Sequence, residues 1–212
     1  AQTAALVAAL RARLEGAGVL PEFVALLDQE RWFLPSLGLD AEDLSNLQSA
    51  TGRAETPGIG VAMALGDDGA FERARRAETG WREGILKGLR RIERDGVHEM
   101  AGVRWFDSPE STLAGTQAGM AMNYLLSPER PVLAFSEAGR APVKVSGRGT
   151  LRLVAQGLDL STALRLGAEA VGGEGGGHRV ASGATIPSGS RDRFLAVVDR
   201  TVAEQLHLGG PP

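Results

Sequence analysis

Along residues 1–16, Ala and Leu alternate with Arg11, Arg13 and Glu15, a pattern that predicts an amphipathic helix at the start of the chain. Helical periodicity continues over 22–32 and breaks at Pro35 and Gly38. Asp40 is placed to N-cap a helix over 41–51, with Asp43 three residues on and Thr51-Gly52-Arg53 closing it. Pro57-Gly58 opens another short helix that ends in the punctuation of residues 66–69. The longest periodic segment follows, over 70–95. Trp81, Ile85, Leu89 and Ile92 recur at spacings of 4, 4 and 3 there, one apolar stripe of a helix, and Arg82, Arg90, Arg91 and Arg94 lie off it. At ~1.5 Å per residue such a helix spans roughly 39 Å, a length suited to a bridge between two lobes. Gly80, Gly84 and Gly88 share one of its faces. Each costs about 1 kcal/mol against Ala, so the face either admits another backbone closely or marks a weak, bent helix.

After Gly96 the period changes. Residues 102–107 and 131–136 read as strands, with a helix over 112–126 between them. Residues 143–146 and 150–155 read as two more strands joined through Gly147-Arg148-Gly149. A helix over 161–171, the glycine run 172–177, a strand over 180–186 and a helix over 191–206 complete the chain. Alternating helices and strands predict an α/β fold class: a C-terminal mixed-sheet α/β domain, preceded by a helical segment and a long linker helix. The division is 1–69, 70–98 and 99–212.

Composition narrows the picture. With 43% apolar and 23% charged residues this is an ordinary soluble, globular composition. Apolar stretches are only a few residues long against the ~18 a membrane-spanning helix needs. There is no cysteine, which excludes a disulfide scaffold, thiolate catalysis and Cys-ligated metals, and fits a cytoplasmic address. A net charge of −3 and a pI near 5.7 remove the globally basic signature of many nucleic-acid binders, so phosphate binding would need a local cluster. Arginine dominates the cations, with Lys87 and Lys144 the only lysines among 23 basic residues; arginine suits bidentate phosphate contacts. Position 1 is Ala and the chain opens straight into helix, so a further segment is expected upstream.

Glycine is the outlier, with 29 copies in 212 residues, roughly twice the ~7% average. Five fall in residues 172–177, interrupted only by Glu174 and followed by His178. Such a run reads as a loop whose exposed N–H groups could approach a phosphate. It follows a helix and precedes a strand, so it is not a dinucleotide fingerprint, and no Gly-Lys-Ser/Thr occurs for a Walker loop. Ser146-Gly147-Arg148-Gly149 reads either as a plain hairpin turn or as a hydroxyl and guanidinium offered to a phosphate. The three histidines are isolated and Asp67-Asp68 lie in a turn, so no metal site is readable. No Ser/His/Asp triad is readable either.

Ser146-Gly147-Arg148, followed by Gly175-Gly176-Gly177-His178-Arg179-Val180-Ala181-Ser182-Gly183, resembles the DHH-associated domain of the DHH phosphoesterase superfamily, with its GGGH loop and short Ala/Gly-rich strand. Upstream, Ser49-Ala50-Thr51-Gly52-Arg53, Pro57 and Gly60-Val61-Ala62 look like the Asn-Ala-x-Gly-Arg and Gly-Val-Ala segment that ends the catalytic domain of RecJ-type exonucleases. Gly115-Thr116-Gln117-Ala118-Gly119 and Gly157-Leu158-Asp159-Leu160 are similar to the archaeal RecJ-like branch, which includes the GINS-associated nuclease. The likeness covers most of residues 40–200. It departs at Ser49, where the family has Asn, and at Ser182, where Ala is common. The Asp-His-His motif and the other metal ligands are absent.

The resemblance implies the C-terminal part of a single-strand-specific exonuclease: the end of the catalytic domain over 1–69, the linker helix over 70–98 and the associated domain over 99–212. It implies Mn²⁺ or Mg²⁺ in a preceding lobe of the full-length parent and none held by this chain, which alone would be inactive. By position, Ser146 and Arg148 would hold a phosphate of single-stranded DNA or RNA. Gly175, Gly176 and Gly177 would add backbone donors, His178 would assist near the scissile phosphate, and Arg53 would stand at the entrance. Replication proteins of the GINS kind are the implied protein partners, and a membrane is not. Alternatives in the same superfamily are a non-catalytic replication scaffold and a nano-RNA or cyclic-dinucleotide phosphodiesterase. Alanyl-tRNA editing relatives share the associated domain, but nothing here resembles their zinc motif.

Overall fold

The computed structural model describes residues 2–19, 21–28, 30–136 and 142–208. It separates into two compact units, 1–49 and 50–212. In the first, α1 (Gln2–Gly16) is followed by a single turn α2 (Pro21–Val24), a 3-10 turn (Ala25–Asp28) and the hairpin β1 (Phe33–Leu34) and β2 (Leu39–Asp40). The helix expected over 22–32 is therefore confined to two short turns. The chain carries no apolar period long enough there to propagate past a costly nucleus. In α1 the apolar residues are spread around the helix and not gathered on one side, and Leu6 and Leu10 are exposed. Asp40 does cap α3 (Ala41–Arg53): its Oδ1 accepts from the Asp43 N–H at 3.0 Å.

In the second unit, Pro57 at the first turn starts α4 (Pro57–Ala64). Asp67 then caps α5 (Asp68–Asp95), accepting from the Ala70 N–H at 3.1 Å. The apolar stripe holds: Ile85 and Ile92 are buried and Leu89 packs on the core. The glycine face is filled from within the chain. A Cβ at Gly84 would stand 2.6 Å from Leu113, one at Gly88 would stand 2.2 Å from the Gln117 amide, and only Gly80 meets open space. Those two glycines let α6 (Ser111–Tyr124) lie close, and Gln117 donates to the Gly84 carbonyl.

The rest is a six-stranded sheet in the order β3-β4-β5-β6-β8-β7. Its strands are β3 (His98–Glu99), β4 (Arg104–Asp107), β5 (Val132–Ser136), β6 (Val143–Arg148), β7 (Glu174–Gly177) and β8 (Ala181–Ile186). Only β4 and β5 run parallel, joined by the crossover helix α6; the other neighbours are antiparallel. One face carries α6. The other carries α8 (Leu160–Glu169) and α9 (Arg191–Gln205), with Phe135, Leu164, Phe194 and Val198 fully buried between them.

Two expectations are corrected here. Residues 150–155 are not a strand: Thr150 caps the short helix α7 (Leu151–Ala155), its hydroxyl accepting from the Leu153 N–H at 3.1 Å. Ser146-Gly147-Arg148 therefore lies inside β6 and is no hairpin turn. The glycine run, in turn, is not a loop. Residues 174–177 form the edge strand β7, because β8 offers a backbone to pair with and glycine needs no side-chain pattern to do so.

Asp159 caps α8, accepting from the N–H groups of Ser161 and Thr162 at 3.0 and 3.2 Å and from both hydroxyls. The Ser161 hydroxyl first, then the other donors, hold its carboxyl below the usual carboxylate range. A depressed folded-state pKa means that the stabilisation is complete above the unfolded value and is lost as pH falls through the folded one. Asp159→Ala is expected to cost about 1 kcal/mol of stability near neutral pH. The loss should shrink in acid, once the wild-type carboxyl is itself protonated. Urea melts of both proteins across that range check it.

Candidate nucleic-acid interface

Antiparallel register decides which of the candidate side chains share a face. Directly opposed residues point the same way, so Ser146, Gly183 and Gly176 form one row across β6, β8 and β7, and Arg148 with Ala181 form the next. Both rows lie on the α6 face. A Cβ built on Gly115 of α6 would stand 2.4 Å from an Arg148 guanidinium nitrogen and 3.6 Å from the Ser146 hydroxyl. Gly115 is thus the gap into which Arg148 fits, and an alanine there would displace the guanidinium.

Arg53 reaches the same place from the end of α3. Its Nη1 donates to Thr116 Oγ1 at 2.9 Å, and its guanidinium lies over the Trp81 ring, 5.1 Å from the centroid. The hydrogen bond and the cation–π contact position Arg53 beside Arg148. Half-burial first, and the Arg53 charge second, push the Arg148 guanidinium below its ordinary value. It stays protonated at any physiological pH. Among the described residues, Arg148 donates only to the Gly147 carbonyl, and no carboxylate forms an ion pair with either arginine. Two adjacent guanidinium groups without a protein anion are a place where an external anion gains on both.

The structure brings Arg53, Ser146 and Arg148 together. His178 sits exposed in the tight β7–β8 connection, where its N–H donates to the Ala181 carbonyl at 2.9 Å. Ala181 opposes Arg148, so His178 is at the same end of the sheet, about two strand spacings or ~10 Å away. The three glycines divide. Gly175 and Gly177 belong to rows facing α8: a Cβ on Gly175 would meet the Leu164 carbonyl at 2.6 Å, and one on Gly177 the Ala181 carbonyl at 2.9 Å. Gly176 alone faces the Ser146 side, over open space. Most of the glycine run is thus accounted for by close backbone packing. Sequence reasoning missed Gly183, which makes the floor beside Ser146 flat, along with Trp81 and the supporting Gly115 and Thr116. The available signals were Gly183, which closes the Gly175–Gly183 motif, and Gly115-Thr116 in the RecJ-like segment. Among the described residues, no group of three or more His, Asp or Glu could hold a metal ion, and no helix is long and apolar enough to cross a membrane.

Comparison with known proteins agrees with this architecture. Residues 108–204 match the family model of the DHHA1 domain. An uncharacterized protein of Methanocaldococcus jannaschii is 28% identical over 177 residues, covering 84% of this chain and 38% of that protein. RecJ of Thermus thermophilus, solved with Mg²⁺, aligns at a TM-score of 0.61 and 19% identity over 75% of this chain and 24% of its own. A manganese-bound exonuclease RecJ aligns at 0.60 and 18%, over 76% of this chain and 40% of its own. The DHH domain of a member of a ribosomal-protein family aligns at 0.52 and 20%, over 83% and 45%. The chain thus spans less than half the length of these proteins, and the likeness to the solved structures is one of fold. Residues 108–204 thus match the DHHA1 domain, and about three quarters of the chain shares the fold of RecJ.

Proposed function

We propose that this chain is the strand-holding part of a RecJ-like, metal-dependent phosphodiesterase acting on single-stranded DNA or RNA. The observation that carries this reading is the half-buried Arg148 beside Arg53, with no carboxylate among the described residues to neutralise them. In it, Arg148 and the Ser146 hydroxyl hold one phosphate of the strand, Arg53 guards the approach, and the strand continues over the Gly183–Gly176 floor. His178 reaches the nucleotide from the end of the sheet. Mn²⁺ or Mg²⁺ would act in the parent protein as the Lewis acid of hydrolysis. Among the described residues no cluster of donors fits such a metal pair, and the role proposed for this chain's own residues is to bind and orient the strand.

Fluorescence anisotropy with labelled single strands, duplex DNA and a cyclic dinucleotide tests the reading. Single strands are expected to bind in preference, with log affinity falling by about 0.7 per phosphate contacted for each decade of salt. Preference for the cyclic dinucleotide would move the assignment to the dinucleotide phosphodiesterase branch, and no nucleic-acid binding at all would leave the scaffold reading. Gly183→Leu adds a floor test. Its Cβ has room, with the Val145 carbonyl at 3.4 Å, but the side chain rises into the strand's path. It is expected to keep the native circular dichroism spectrum and lose about tenfold in affinity, ~1.4 kcal/mol. Unchanged affinity would mean the strand does not run there.

A further inference from the structure

A second row on the α6 face points to a further anchor. Ser136, Lys144, Thr185 and Glu174 oppose one another across β5, β6, β8 and β7. Lys144, Thr185 and Glu174 line an open groove of about 470 Å³ together with Ser146, Gly183 and Ser111, the first residue of α6. At the inner end of the row Ser136 is 3% exposed, and among the described residues its hydroxyl has no hydrogen-bond partner. A buried hydroxyl left unsatisfied is costly, and in native structures it signals a missing partner.

The start of α6 is brought to the same place. Ser108 donates from its N–H to the Phe135 carbonyl at 2.7 Å, which sets the entry to α6 beside the end of β5. Glu110, at the cap position, makes no side-chain hydrogen bond to the first turn. Its carboxylate lies towards α5, 3.5 Å from where a Gly84 Cβ would stand. The turn therefore presents N–H groups and the positive end of a 14-residue helix at the carboxyl ends of the parallel pair β4 and β5. Among the described residues lining the groove, Glu174 is the one carboxylate, at the outer rim beyond Thr185.

We propose that Lys144, the Ser136 hydroxyl and the first turn of α6 form a second phosphate subsite, distinct from the Arg148 cluster. Lys144 and Arg148 are four residues apart on β6, about 13 Å at ~3.3 Å per residue. That exceeds one internucleotide step, whose stacked rise is ~3.4 Å. The two anchors thus take phosphates that are not neighbours, with the glycine floor lying between them. The ligand this arrangement selects is an oligonucleotide of several phosphates. A dinucleotide, with a single bridging phosphate, engages one anchor alone. This inference rests on the Arg148 cluster being a phosphate site.

The test compares wild type with Lys144→Met, Ser136→Ala and Arg148→Ala, using two-nucleotide and twelve-nucleotide thymidine strands in anisotropy titrations over a salt series. Lys144→Met is expected to weaken the long strand about fivefold or more and to lower its salt slope by about 0.7, one phosphate contact. It should leave the short strand unchanged. Ser136→Ala is expected to weaken the long strand without lowering the melting temperature. If Arg148→Ala weakens both strands while Lys144→Met weakens neither, the second subsite is overturned and the first stands. Equal weakening of both strands by Lys144→Met would also overturn it, since Lys144 would then serve the same phosphate as Arg148. No effect of Arg148→Ala on either strand would bring down the underlying reading as well.

Discussion

Arg148→Ala is expected to weaken single-strand binding between about 10-fold and 150-fold, the range of ~1.5–3 kcal/mol for a hydrogen bond to a charged group. The melting temperature should not fall. The two readouts separate because Arg148 has no carboxylate partner to orphan among the described residues: its side chain is bonded there only to the adjacent Gly147 carbonyl, and its charge sits beside that of Arg53. Removing it relieves a desolvated cation and leaves no buried anion behind. Arg148→Lys should fall between wild type and alanine, since it keeps the charge but loses the planar fork. Titration at fixed salt with parallel thermal melts checks this. Unchanged affinity in the alanine variant would remove Arg148 from the site.

The second large effect is on stability and falls on a residue whose sequence context reads as functional. Gly175→Ala would place a Cβ 2.6 Å from the Leu164 carbonyl oxygen, 3.0 Å from its carbon and 3.2 Å from the Ala168 Cβ. Two of these atoms are helix backbone in α8, so no rotamer change relieves the contact; the edge strand or the helix must move. Overpacking of this kind costs about 1–3 kcal/mol. At roughly 2–4 °C per kcal/mol for a chain of this size, the melting temperature should drop by about 2–12 °C. Gly183→Ala, on the opposite face, is expected to melt close to wild type, because its Cβ finds only ordinary contact. Equal melting of the two variants would show that α8 can withdraw from the edge strand without loss.

This contrast shows how much of the site was legible in the sequence. The motif residues Ser146, Arg148 and Gly175–Gly177 stand out as a pattern, but the pattern cannot say that alternate strand residues face opposite sides of a sheet. Register assigns Gly176 to the Ser146 side and hands Gly175 and Gly177 to the packing of α8 and the strand turn. Arg53 was legible only as part of a Gly-Arg segment. Its place beside Arg148 depends on Thr116, 63 residues further on, and on Trp81 beneath it. Lys144 and Ser136 carry no motif, and they meet only because β5 and β6 pair in one register.

What the sequence determined by itself is what lies within a turn or two of chain. Apolar spacing gave the stripe of α5, and Asp40 and Asp67 marked helix starts because a cap bonds within three residues of itself. The alternation of elements after Gly96 likewise set the α/β class. Tertiary structure decided the cases where local signals balance or vanish. Residues 151–155, Leu-Arg-Leu-Val-Ala, fit a period of two as well as a helical turn, and the burial of Leu153 together with the Thr150 cap settled them as α7. A run of glycines has no side-chain period at all, so only the backbone offered by β8 could make it a strand. The gathering of Arg53, Ser146 and Arg148 also belongs to the tertiary structure, since packing against α6 and across the sheet brings together residues that the chain keeps far apart.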